Sequence, residues 1–334
     1  MSLQIVALGD EHLEDAAALV TARYRALRAD VRSLPSRYED LTSILPLLRD
    51  LVAEAPGVVA IRGGRLVGFL LGTVLPNFRG KRSVYSPEWA NGAEMESSRE
   101  IYREMYAHLS AHWVADGCYN HVVTLLANDR EGIDGWYWSG FGLTCVDAIR
   151  DLTPVQGTLA DIDIRRARLE DIEEAMVLDQ ALRRHLAAAP VFLLPEEERD
   201  RDFHEQWLAD RTKVLWLAYL GAEAVACMGV GPSTEACLII GDEGTTSIEP
   251  AFTKESVRRR GIGTALLKHS LDWARSAGYE RCAVDFEPEN ISGTLFWLRH
   301  FQPVCHSLIR HVDERVARTQ KNYAERASTG LTST

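Results

Sequence analysis

Residues 246–278 read TSIEPAFTKESVRRRGIGTALLKHSLDWARSAG, and three features follow one another within them. A strand-like run ending at Phe252 and Thr253 leads into Arg258-Arg259-Arg260-Gly261-Ile262-Gly263-Thr264. A helix pattern comes next, with apolar Leu266, Leu267, Leu271 and Trp273 at helical spacing. Strand, glycine turn and helix start gather backbone N–H groups at the positive end of a helix dipole, a setting that suits a pyrophosphate. The glycines let the backbone approach phosphates closely, and the arginines add charge. The run is not a Walker A loop, which needs Gly-Lys-Ser/Thr after its glycines, nor a Rossmann fingerprint, which needs a third small residue where Leu266 stands.

Working outward from this segment, the chain repeats itself. Gly117 in HWVADGCYNHVVTLLANDREGIDGWYW and Gly278 in DWARSAGYERCAVDFEPENISGTLFWL stand 161 residues apart, as do Asp129 and Asn290, and Trp136 and Trp297. Each copy reads as a helix ended by glycine, an apolar strand, an Asn/Asp turn and an aromatic-bearing helix. The openings also correspond: IVALGDEHLEDAAALVTARYRAL and IRRARLEDIEEAMVLDQALRRHL both pass from a short strand through an acidic helix start into apolar three- and four-residue spacing. Two strands follow in each, hinged at Gly63-Gly64 and near Gly221. LTCVDAIRDL and VCHSLIRHV close the halves. DLTPVQGTLADID, with Pro154 and Gly157, reads as the boundary, so the expected domains are 1–155 and 160–318, followed by a polar tail over 319–334.

Composition bounds the function. At 334 residues, 46 % hydrophobic and 25 % charged, the chain has the make-up of a globular protein with room for two cores. Lys and Arg number 37 against 48 Asp and Glu, a net charge of −11, which argues against nucleic acid and anionic membranes as partners. The six cysteines include no Cys-x-x-Cys pair, and the histidines show no ligand spacing, so no metal is expected. The N-terminus has no basic leader and no segment is apolar for about 18 residues, so the expected compartment is the cytoplasm.

At Arg258-x-x-Gly261-x-Gly263 the sequence resembles the GNAT superfamily of N-acetyltransferases, whose signature is Gln/Arg-x-x-Gly-x-Gly/Ala. The strand before it and Asn290, Gly293, Phe296 and Trp297 after it extend the likeness, which is close over about 162–312. The first half shares the order of elements but lacks the signature; its Arg79-Gly80-Lys81-Arg82 precedes the fourth strand, and SPEWANGAEMESSREIYREMYAHLSAHW has no glycine nest. The resemblance implies an α+β protein of two GNAT-like domains, each a mixed central sheet flanked by helices, the second catalytic and the first degenerate, a tandem layout also seen in mycothiol synthases. It implies one acetyl-CoA site, with the pantetheine arm along Ala251, Phe252 and Thr253. Pyrophosphate falls on the amides of Arg258, Arg259, Arg260, Gly261, Ile262, Gly263 and Thr264, and Asn290 contacts the cofactor arm.

The reaction this implies is transfer of an acetyl or short acyl group from acetyl-CoA to a primary amine of a small molecule or peptide. Direct attack needs a group that takes a proton from the amine, and the thiolate leaves more easily beside an acid or a fixed dipole. Glu249 is the candidate base; the family's frequent glutamate lies two residues earlier, where this chain has Ser247, on the same face of the strand. The family's usual acid, a tyrosine seven residues past the asparagine, is replaced by Trp297, which has no acidic proton to give; Asp285, Glu287, His300 and water are the substitutes. That replacement keeps a second reading open, a non-catalytic acyl-CoA-binding or ligand-sensing protein.

Overall fold

The computed structural model describes residues 2–155, 162–194, 199–233 and 237–316. The expected linker residue Gly157 and the expected tail from 319 lie outside the described residues. The described chain forms two compact units, and they do not follow the cut the sequence suggested. Unit 1 holds 2–30, 36–144 and 305–316; unit 2 holds 31–35 and 145–304.

In chain order, unit 1 runs β1 (Leu3–Ala7), α1 (Leu13–Asp30), α2 (Leu41–Glu54), β2 (Gly57–Arg62), β3 (Arg65–Leu71), β4 (Thr73–Phe78), β5 (Lys81–Ser86), β6 (Asn91–Ala93), α3 (Ser98–Ala115), β7 (Asn120–Leu126) and α4 (Arg130–Trp138). Strand β8 (Gly142–Asp151) then carries the chain into unit 2, which continues β9 (Asp163–Arg166), α5 (Ile172–Ala187), α6 (Arg201–Ala209), β10 (Val214–Leu220), β11 (Glu223–Pro232), β12 (Thr245–Thr253), α7 (Ile262–Ser276), β13 (Arg281–Phe286) and α8 (Ile291–His300). The last strand, β14 (Gln302–His311), returns to unit 1.

The landmarks of the repeat are structural devices. Gly117 and Gly278 adopt φ of 76° and 90° just past α3 and α7, the left-handed conformation that closes a helix and that glycine adopts without a Cβ clash. Asp129 and Asn290 cap α4 and α8, accepting from the N–H groups of Gly132 at 2.9 Å and Gly293 at 3.2 Å. Trp136 and Trp297 are the buried anchors of those helices. The apolar stripes are buried as the periodicity requires: Ala16, Val20, Tyr24 and Leu27 on α1, and Ile262, Leu266, Leu267 and Leu271 on α7.

Both units are mixed sheets with helices. Unit 1 orders its strands β1-β2-β3-β6 and β4-β5-β7-β14, with β5 and β7 parallel. Unit 2 orders them β8-β13-β12-β11-β10-β9, with β12 and β13 parallel and the remaining neighbours antiparallel.

The exchange of last strands is where the structure departs from the expected domains. β8, the final strand of the first copy, lies against β13 from Val146↔Phe286 to Asp151↔Arg281, and β14 lies against β7 from Leu126↔Cys305 to Asn120↔His311. Local pattern does not choose between these partners, because both closing strands are alternating apolar runs. Side-chain pairs do. Thr124 and Ser307 share a hydroxyl hydrogen bond at 2.7 Å, Asn120 meets His311 at 2.9 Å, and Arg310 donates to the Tyr106 hydroxyl at 3.1 Å.

A fragment cut to 160–316 would lack β8, leaving β13 an unpaired edge, and would carry β14 without β7. It is expected to aggregate or to lose cooperative unfolding by circular dichroism in denaturant, whereas the full chain unfolds cooperatively. A monomeric fragment with the midpoint of the full chain would show that β8 is dispensable.

Candidate functional site

The site of unit 2 begins with a strand that breaks its own regularity. β12 pairs with β11 as Met228↔Ala251 and then Val230↔Ile248, so Glu249 and Pro250 together face Gly229, a β-bulge. A side chain at 229 would run into the Glu249 carbonyl and the Pro250 ring, which is why the facing position is glycine. The proline that hinted at a bulge in the sequence sits in one.

On its other side β12 joins β13 for only three parallel pairs: Thr245↔Arg281, Thr246↔Cys282 and Ser247↔Ala283. Both strands run on, β12 to Thr253 and β13 to Phe286, but the pairing stops. Beyond Ser247 the strands part and leave a wedge-shaped opening in the sheet, with Ala251, Phe252 and Thr253 on one wall.

At the foot of that wall is the glycine turn. Arg259 and Gly261 take φ of 63° and 81°, the second as N-cap of α7. Glycine meets that requirement without a Cβ clash, whereas Arg259 holds it at a cost in backbone strain. The first helical N–H bond runs from Ala265 to the Gly261 carbonyl at 3.0 Å, so the N–H groups of Ile262, Gly263 and Thr264 are the first-turn donors that a helix leaves for an outside acceptor. Arg258 braces the turn: its Nε donates to the Thr253 carbonyl at 3.0 Å and its Nη1 to Ser292 Oγ at 3.3 Å. Gly263 lies against the Phe296 ring, where a Cβ would come to 3.3 Å. Asn290 spends its side-chain oxygen on the α8 cap and on His185 Nε2 at 3.2 Å.

One face of the opening is acidic. Strand alternation places Ser247, Asp285 and Glu287 on the same side, and the β8–β13 register sets Asp147 directly opposite Asp285, with Cys145 two residues along. Asp285 is exposed at its surface while protein packs around its carboxyl. Burial, then the charges of Asp147, Glu287 and Glu249, push its carboxyl up to about 7. Asp147 is buried, and burial raises it too, against hydrogen bonds from the Cys237 thiol and amide. The Cys145 thiol is raised by burial and then by Asp147, Asp285 and Glu287.

Glu249, the sequence candidate for the base, is ion-paired with Arg199 at 2.5 Å. Arg199 also reaches buried Asp179 at 3.4 Å, and Arg183 holds the same carboxylate at 3.2 Å. This network ties the segment before α6 to the bulge of β12. Trp297 is buried between Phe296 and Phe301, with ring centroids at 4.8 and 5.5 Å. His300 packs on Phe296, and burial, then Arg150 and Arg299, lowers its pKa.

Sequence reasoning passed over Asp147 and Arg199. Asp147 had a signal, an aspartate between Val146 and Ala148 in the middle of an apolar strand, where acids are disfavoured. Arg199 had none, since its partners are 20 and 50 residues away.

Unit 1 shows what a filled opening looks like. Its β5 and β7 pair from Ser83↔Asn120 to Ser86↔Val123, where β5 ends while β7 runs on to Leu126. Asn91 spans the gap, donating to the Thr124 carbonyl at 3.0 Å and accepting from the Tyr102 hydroxyl at 3.1 Å. Arg23 enters behind it, with Nη2 on Asp129 Oδ2 at 2.6 Å and both side chains buried. The helices also close up, since Gly135 of α4 lies where a Cβ would be 2.9 Å from the backbone of Arg99 on α3.

Residues 180–301 match the model of the acetyltransferase (GNAT) family. The chain is similar in fold to a GCN5-related N-acetyltransferase from Sphaerobacter thermophilus, at 13 % identity and a TM-score of 0.56 over 92 % of this chain and 95 % of that one. It is also similar to the GCN5-related glucosamine N-acetyltransferase region of a fungal multi-domain GH3 β-N-acetylglucosaminidase, at 12 % identity and a TM-score of 0.51, over 92 % of this chain and 38 % of that one. No curated protein matches the chain. Among the described residues no helix is long and apolar enough to cross a membrane, and no three His, Cys, Asp or Glu side chains are placed to hold a metal ion.

Arg23→Met would strand the buried Asp129 carboxylate without its partner. The expected loss is about 3–5 kcal/mol in denaturant titration. A loss below about 1 kcal/mol would mean that the filled opening of unit 1 does not depend on the ion pair.

Proposed function

We propose that unit 2 transfers an acetyl or other short acyl group from acetyl-CoA to a primary amine carried by a small molecule or a peptide. The observation that carries this reading is the parting of β12 and β13 next to the glycine turn. Beyond Ser247 β12 keeps its pairing with β11 but has no pair with β13 among the described residues, so the backbone groups that Ala251 turns toward β13 are placed to bond the amides of a pantetheine arm, as a strand adds to an edge, while the Thr253 carbonyl is held by Arg258. The first-turn N–H groups of Ile262, Gly263 and Thr264 then face the pyrophosphate, with Arg259 and Arg260 supplying charge and Arg258 and Asn290 holding the turn and α8 in place. When bound, acetyl-CoA supplies the activated acyl thioester. Unit 1, with its opening filled, takes no second coenzyme.

Glu249 enters this reading as the carboxylate that latches the segment before α6 onto the bulge through Arg199. The acidic face of the opening attracts a cationic amine and offers it a proton acceptor.

Calorimetric titration with acetyl-CoA is expected to give a stoichiometry near one per chain. Gly261→Val forces a β-branched residue into a φ of 81° and is expected to weaken binding at least about tenfold. Two sites per chain, or none, would overturn the assignment, and binding without thiol release against any primary amine would favour an acyl-CoA sensor. Glu249→Gln is expected to raise the KM for the amine about two- to fivefold, the scale of a partly exposed ion pair, with kcat within about threefold. A loss of kcat of about a hundredfold or more would make Glu249 the base.

A further inference from the structure

The face that looks into the opening is unusual in where its carboxylates come from. Asp285 lies on β13 of unit 2, but the residue directly across from it, Asp147, arrives on β8, the closing strand of the first copy. Residues opposite one another in an antiparallel pair hold their Cβ atoms about 4.5–5.5 Å apart, and like charges there repel. Such a pair costs stability, and nothing in the strand requires it: the neighbouring pairs Val284↔Ala148 and Phe286↔Val146 are apolar. The site itself does not rest on the carboxylates. The parted strands, the glycine turn and the family match define it independently.

We propose that Asp285 is the catalytic proton acceptor for the amine, and that Asp147 is the positioning residue that keeps a single proton shared between the two. This rests on the acyl-transfer reading of unit 2. The groups around Asp285 leave it that task. Glu249, from β12, is engaged by Arg199; Glu287, beyond the end of β13, and the Cys145 thiol, from β8, add no positive charge that would hold Asp285 ionised. Asp147 is fixed by the Cys237 amide at 3.5 Å, so its carboxyl keeps its place opposite Asp285. Two carboxyls so placed cannot both ionise readily, and the second to ionise does so near neutrality.

The chemistry balances on these groups. An ammonium gives one proton to Asp285, which passes it to water. The neutral nitrogen bonds to the acyl carbon, the carbon–sulfur bond breaks, and the electron pair stays on sulfur. The second proton that nitrogen sheds in becoming an amide goes to the thiolate. The exchange of strands thereby makes the first copy a contributor to the reaction even though its own opening is filled.

The test begins without substrate, on the full chain labelled with carboxyl-13C aspartate. One aspartate resonance is expected to titrate near pH 7, to vanish in Asp285→Asn, and to move down by on the order of one pH unit in Asp147→Asn. Asp147→Ser serves if the asparagine variant does not fold. An inflection near 7 that ignores both Asp147 variants would overturn the pair. With acetyl-CoA and a panel of primary amines, thiol release is expected to rise with pH through the same inflection, because the acceptor must be ionised. Asp285→Asn should lower it about 10²–10⁴-fold with unchanged coenzyme affinity by calorimetry, and Asp147→Asn should shift the acidic limb to lower pH. Asp285→Asn turnover within threefold of wild type would remove Asp285 from the mechanism. If no amine is acetylated, the acyl-transfer reading fails, while the resonance titration still decides the pair.

Discussion

Three residue pairs join β12 to β13, and the point at which that pairing stops organises unit 2. A parallel ladder that ran on to Thr253 would saturate the backbone groups that now line an opening. The bulge at Glu249 and Pro250, made room for by Gly229, turns the free edge of β12 away from β13 just past the last pair. The same turn delivers the chain to Arg258, whose two hydrogen bonds fix the glycine turn relative to α8. Unpaired β12 edge, first-turn amides and acidic face are three consequences of one interrupted ladder.

Unit 1 is the control that the molecule carries within itself. Its β7 likewise runs past the last pair with its parallel neighbour, Ser86↔Val123, although β5 itself ends there. What differs is the filling. Asn91, Tyr102, Arg23, Ser98 and Asp129 form a buried network in which each polar group has a partner, as burial demands. Asp129 is at once the cap of α4 and the partner of Arg23, whereas its counterpart Asn290 caps α8 and, among long-range side chains of the described residues, meets His185. Where unit 1 has a charged cap that holds Arg23, unit 2 has a neutral one.

The exchange of β8 and β14 sets the terms on which the halves fold. Each unit needs a strand encoded in the other half of the sequence, and unit 1 cannot complete its sheet until β14 has been made. Long-range pairings of this kind form late and slowly, because loop closure must be met before the contacts form. They also explain why a domain that holds no phosphate loop is retained next to one that does: the first copy supplies the strand that pairs with β13 and, on it, Asp147.

The sequence alone determined the local devices. Gly117 and Gly278 as helix ends, Asp129 and Asn290 as caps, and the glycine turn over Arg258–Thr264 were legible because each depends on φ, a cap or a period within a few residues. The fold class followed from their order, and the lack of an Arg-x-x-Gly-x-Gly signature in the first half was plain in its residues. The tertiary structure decided what depends on residues far apart. Which closing strand pairs with which core was invisible, since LTCVDAIRDL and VCHSLIRHV satisfy the same alternating rule and only partners such as Thr124, Asn120 and Tyr106 distinguish them. Glu249 looked free in sequence and is held by Arg199, 50 residues away. Asp285 looked like an ordinary strand acid. Its carboxyl is pushed up by burial and then by the charge of Asp147, a residue of the other copy, because a carboxylate's charge is governed by what surrounds it in space and not by what precedes it in the chain.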